Sequence, residues 1–116
     1  LAACATPQMQ PAPQNLDYGQ APQEVEAQVR SYMENELLDA ESARYKFEPP
    51  YKVYANLNPE GVFVWHGYRV DFSVNAKNGY GGYTGYTPYF ALFRNGKITR
   101  AYPAHEAPWT FTAIRN

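Results

Sequence analysis

The chain has 116 residues, of which 45% are hydrophobic and 16% aromatic, and its 10 Lys plus Arg against 11 Asp plus Glu give a formal net charge of −1. That length holds one domain with a modest core, burying about 60 to 65% of its unfolded surface. Near-neutral charge without a basic run excludes a reader of nucleic-acid backbone, and a single cysteine, Cys4, excludes an intrachain disulfide.

Leu1, Ala2, Ala3 and Cys4 resemble the lipobox of bacterial lipoproteins, in which small residues precede a cysteine whose sulfur takes a diacylglycerol. Residues 5–23 are rich in Pro, Gln and Ala, a composition that cannot bury enough apolar surface to fold alone and that suits a spacer. No apolar run approaches the roughly 20 residues that span a bilayer, so acyl chains on Cys4 are the expected membrane attachment. The chain is expected to divide into a lipobox and tether, residues 1–21, and a single domain, residues 22–116.

Pro22 suits a first helical position, because its missing N–H has no partner there. Val25, Val29, Tyr32, Met33 and Leu37 then fall on one stripe of a helix expected over residues 22–38, with Glu24 and Glu26 at its positive end. Residues 38–44 carry Asp39 and Ser42 as candidate caps for a turn that reverses the chain. From Tyr45 the period becomes two: Tyr45 and Phe47 alternate with Lys46 and Glu48, and after Pro49 and Pro50 a second run covers residues 51–57. Asn58, Pro59, Glu60 and Gly61 mark a turn.

Residues 62–75 carry the longest strand pattern, interrupted at His66 and Gly67, where a bulge or bend is expected. Asn95-Gly96 between the runs 89–93 and 97–102 is the strongest hairpin signal in the chain, since both residues accept positive φ. Trp109, Phe111 and Ala113 alternate with polar neighbours as a short last strand or extended tail. The expected fold class is α+β: one N-terminal helix packed on a twisted antiparallel sheet of four to five strands.

Residues 75–89 join two strands with four Gly among Tyr residues. In one reading this is a contact loop, with Tyr80, Tyr83 and Tyr86 as aromatic platforms for a protein partner or a sugar and Asn75, Lys77 and Asn78 as polar anchors. In the other it is an ordered connection whose rings complete the core. The segment lacks the Gly-Lys-Ser or Gly-Lys-Thr of a phosphate loop. His66 and His105 form no metal-ligand spacing with Glu60, Asp71 or Glu106. Ser31, Ser42 and Ser73 lack a nucleophile motif, and Trp65 and Trp109 suit packing better than ligand stacking. No catalytic residue, metal site or cofactor is expected, nor is an enzymatic activity.

The stretches Asp-Ala-Glu-Ser-Ala-Arg-Tyr-Lys-Phe at 39–47 and Val-Asn-Ala-Lys-Asn-Gly-Tyr-Gly-Gly-Tyr-Thr-Gly at 74–85, followed by 88–96 with its Asn-Gly, resemble a family of small bacterial envelope proteins. The likeness covers about 60 residues and implies no activity. With the lipobox, it leads to the expectation of a non-enzymatic accessory subunit anchored through Cys4 in the outer membrane, facing the periplasm. Such a subunit binds a larger envelope assembly such as a secretion, pilus or outer-membrane complex. The alternative expectation is a glycan- or peptidoglycan-binding module.

Overall fold

The computed structural model describes residues 16–56 and 64–114. Cys4, the lipobox and most of the expected tether therefore lie outside the described residues, as does the turn expected at 58–61.

Helix α1, Val25–Met33, is the first regular element among the described residues and is shorter at both ends than the apolar stripe predicts. Pro22 is buried ahead of it, and Glu24 takes a left-handed conformation with φ 53°, so helical geometry begins only at Val25. At the other end the Glu36 and Leu37 N–H groups both donate to the Met33 carbonyl, closing the last turn. The stripe itself performs as packing: Val29 and Met33 are fully buried, and Val25, Tyr32 and Leu37 pack beside them. Asp39 caps a 3-10 turn at Ala40–Ser42 by accepting the Ser42 N–H on its carboxylate.

Six antiparallel strands follow among the described residues: β1 Arg44–Phe47, β2 Tyr51–Asn56, β3 Val64–Asn75, β4 Thr87–Arg94, β5 Lys97–Pro103 and β6 Phe111–Ala113. They form one open sheet in the order β5-β4-β3-β2-β6, with β1 also paired to β3. The α+β class stands, with six strands instead of four to five. The tail supplies one of them, since residues 111–113 pair with β2.

A second addition comes from Pro49 and Pro50, which lie between two strands that share β3 as their partner. Glu48 makes the last ladder bond, its N–H donating to the Asp71 carbonyl, and the two prolines that follow have no donor. Pairing resumes with one residue extra: Phe47 sits opposite Phe72, whereas Tyr51 sits opposite Arg69. A one-residue slip exchanges the faces of a strand. Tyr45 and Phe47 consequently pack under α1, while Val53 and Ala55, of the same parity, are buried on the other side of the sheet.

The helix-covered face carries Val70, Phe72, Val74, Ala91 and Phe93 against Val29 and Met33. On the opposite face no helix packs among the described residues. The rings of Trp65, Phe90, Tyr102, Trp109 and Phe111 close on one another there, with Phe111 of β6 only 5.5 Å from Phe90 of β4 and 6.5 Å from Trp65, centroid to centroid. The sheet must curl for strands this far apart in its order to touch, and the segment leading to β6 closes the concave side.

Two local expectations resolve differently. The His66-Gly67 step holds no bulge: its pairing to Tyr54 and Val53 runs unbroken. Glycine is required at 67 because a Cβ there would collide with the Phe93 carbonyl and the Trp65 ring. The register shift falls instead between Leu92 and Phe93, opposite Thr99, whose hydroxyl donates to the Leu92 carbonyl. The Asn95-Gly96 hairpin forms as expected, with φ of 53° and 83°.

Residues 16–23, most of them read as tether, lie as a strap against this domain. His66 Nδ1 donates to the Asp17 carbonyl, the Tyr18 ring meets the His66 edge at 6.1 Å, and Gly19 fits beneath Arg94 and Asn95. Gln28 fastens α1 to the same hairpin, donating to the Gly96 carbonyl at 2.9 Å and accepting the Ile98 N–H at 2.9 Å.

Candidate functional site

The Tyr/Gly loop is built from its own asparagines. Asn78 Oδ1 accepts the N–H groups of Tyr80 and Gly82 at 2.9 and 3.2 Å, and the Asn78 N–H donates to the Gly82 carbonyl at 2.8 Å. Asn75 Oδ1 accepts the Gly85 N–H at 3.1 Å. Gly81 and Gly85 adopt φ of 82° and 102°, which a side chain disfavours. The side-chain oxygens of Asn75 and Asn78, expected as anchors for a ligand, thus hold the loop's backbone.

The three tyrosines separate. Tyr80, at the turn, is 99% exposed. Tyr83 is 38% exposed; its hydroxyl donates to the Ser42 carbonyl at 2.9 Å, with the Arg44 guanidinium 4.4 Å and the Lys77 ammonium 5.6 Å from its ring centre. Tyr86 is 42% exposed and carries the Lys46 ammonium at 4.1 Å. Such cation–ring contacts at exposed sites contribute about 0.5–1 kcal/mol each. Ser42 joins the turn to the loop: it is capped by Asp39, and its Oγ accepts the Lys77 N–H at 2.9 Å.

Sequence reasoning missed Arg44 and Lys46. The signal was the alternation of β1, whose Tyr45 and Phe47 face the helix and whose cations must therefore face away. The tyrosines they meet lie about 40 residues further on, which no local pattern reveals. Among the described residues the ion pairs are Arg30–Glu26, Arg69–Asp71, Arg94–Asp17 and His105–Glu106; Arg44, Lys46 and Lys77 belong to none of them.

A second constellation lies along the same face. Arg69 Nε donates to Asp71 Oδ1 at 2.8 Å, the Tyr51 hydroxyl donates to Asp71 Oδ2 at 2.8 Å, and the Arg69 guanidinium lies 4.2 Å from the Phe90 ring centre. Burial, reinforced by the hydrogen bond to the Asp71 carboxylate, pushes the Tyr51 hydroxyl up to about 12. A tyrosine held protonated this firmly is a poor proton donor near neutrality, and the trio locks the polar side chains of β2 and β3 in place beside the aromatic rings.

The remaining candidates are dispersed. His66 binds the strap, and His105 sits 3.4 Å from its neighbour Glu106. Trp65 and Trp109 each set an edge against Phe111. Among the described residues no three of His, Cys, Asp and Glu converge, and no helix is long and apolar enough to cross a membrane. Comparison of the chain with protein-family models, with curated proteins and with solved structures found no match.

Proposed function

We propose that this chain is a periplasm-facing accessory subunit, anchored in the outer membrane by acylated Cys4, that engages a larger envelope protein assembly through the Tyr/Gly loop. One observation supports it above the others: Tyr80 is presented fully exposed on a turn that Asn78 holds rigid from within. A large ring presented to water without a cover contributes nothing to the fold, and pre-ordering the backbone that carries it lowers the entropy lost when a partner packs on it. The lipobox-like Leu1–Cys4 supports the anchor. A glycan reading fits less well, because the Asn75 and Asn78 side-chain oxygens expected to hold a sugar already accept backbone N–H groups.

Two measurements on the native protein test this reading. Mass spectrometry of the N-terminal peptide should show a diacylglyceryl group on Cys4; an unmodified thiol there removes the anchor. A photo-crosslinking amino acid at position 80 should trap a defined envelope protein in living cells, and retention on purified sacculi without any protein adduct would favour the glycan reading.

A further inference from the structure

Arg44 and Lys46 project from β1 away from the helix onto Tyr83 and Tyr86, Lys77 reaches Tyr83 from the loop, and all three are cations without a carboxylate partner among the described residues. Packing on Tyr83 and Tyr86 restricts the side chains while leaving their charge uncompensated, so much of the entropy cost of fixing a long cation is met before any partner arrives. Among the described residues no acidic side chain pairs with the group: Glu34 and Glu41 line a groove with Arg30 and Tyr45 on the helix-covered side of β1, Asp71 is taken by Arg69 and Tyr51, and Glu48, on the Lys46 side of β1, forms no ion pair with any of the three cations.

The patch also has a position. The chain enters the domain at Asp17–Gly19, against His66 at the start of β3 and Asn95 at the end of β4. The Tyr/Gly loop leaves from Asn75, at the far end of β3, nine residues from His66 or about 30 Å along an extended strand. The entry point from the anchor and the basic tyrosine patch therefore occupy opposite poles of the sheet.

From these placements we infer that Arg44, Lys46 and Lys77, with Tyr80 three residues on from Lys77 in the same loop, form a docking surface for a carboxylate-rich segment of a protein partner. The inference rests on the reading of the loop as a contact surface and adds the chemistry of what it contacts. Charge complementarity selects an acidic partner. The position of the patch, at the pole of the sheet away from the strap, presents it outward from the entry point and favours a protein surface over the headgroups of the membrane in which the chain is anchored.

The test uses the full chain, unacylated, with a glutamate-rich decapeptide as probe and vesicles of phosphatidylglycerol and phosphatidylethanolamine as the competing surface. The peptide should bind with an affinity that falls as salt is raised, and the triple substitution R44Q/K46Q/K77Q should weaken it about tenfold, as three partly exposed charge pairs allow. The double substitution K97Q/R100Q, on exposed β5 positions distant from the loop, should change it less than twofold. Equal weakening by both sets overturns the inference, as does vesicle binding lost in the triple variant while the peptide fails to bind. Salt-sensitive self-association of the unsubstituted chain, lost in the triple variant, overturns it in favour of a second copy as occupant. A photo-crosslink at position 80 that persists in the triple variant leaves the contact loop standing and removes the acidic partner.

Discussion

Two groups of aromatic rings share one face of this sheet and have opposite fates. Under the segment returning to β6, Trp65, Phe90, Tyr102, Trp109 and Phe111 meet ring to ring at 5.5 to 6.5 Å, and Phe90 is wholly buried. Near the loop pole, Tyr83 and Tyr86 meet cations instead of rings, and Tyr80 meets nothing. The difference lies in what the opposing chain supplies. The segment returning to β6 brings apolar rings across the concave side, whereas the strand beside the loop presents Arg44 and Lys46. Arg69 marks the border, stacked on Phe90 and tied to Asp71, with a charged end for one group and a flat apolar face for the other.

The largest test of this contrast is Phe90→Ala, expected to cost about 3–5 kcal/mol in denaturant unfolding because it empties a fully buried site. Tyr86→Ala should cost under about 1 kcal/mol, since it removes a half-exposed ring and one cation contact; comparable losses for the two would erase the distinction between the two groups of rings. Next in size is Gly67→Ala. The added methyl meets a backbone carbonyl and an indole, and should destabilise by about 1–3 kcal/mol, with changed tryptophan fluorescence from Trp65.

At the border, Tyr51 provides a pH test. Its hydroxyl pKa is raised from 10.0 to about 12, so the folded chain holds that proton after the unfolded chain releases it. Stability from this group is fully present below pH 10.0 and is lost as pH rises toward 12. Tyr45 and Tyr89 shift in the same direction, mainly through burial. Tyr51→Phe should reduce the steepness of alkaline unfolding, read by circular dichroism, and remove the latest tyrosinate absorbance step; loss of a step near pH 10.0 instead would show that Asp71 does not hold this proton. The smallest effect belongs to Tyr80→Ala. Thermal unfolding should stay within about 0.5 kcal/mol of the unsubstituted chain while partner capture is lost, which separates contact from packing more cleanly than any change at Tyr83, whose hydroxyl also holds the Ser42 carbonyl.

Local chemistry made much of the fold legible. The Asn95-Gly96 turn, the Asp39 cap and the α1 stripe are each decided by side chains within a few residues of one another, and each formed where expected. The helix ends were less legible, because the left-handed Glu24 and the tightening at Met33 belong to how the strap and the turn pack. Gly67 reads in sequence as a strand interruption, but its reason is a carbonyl of β4, 26 positions away.

Period, composition and turn chemistry by themselves determined an α+β domain with one amphipathic helix, antiparallel strands and an unusual Tyr/Gly connection. Tertiary structure alone decided which face each strand residue occupies, because the extra residue around Pro49 and Pro50 exchanges inside and outside between β1 and β2 without disturbing the alternation on either side. It also decided which tyrosines are scaffold and which is surface. That depends on the cations of β1, and residues about 40 positions apart meet only after non-local strand pairing has closed the intervening chain.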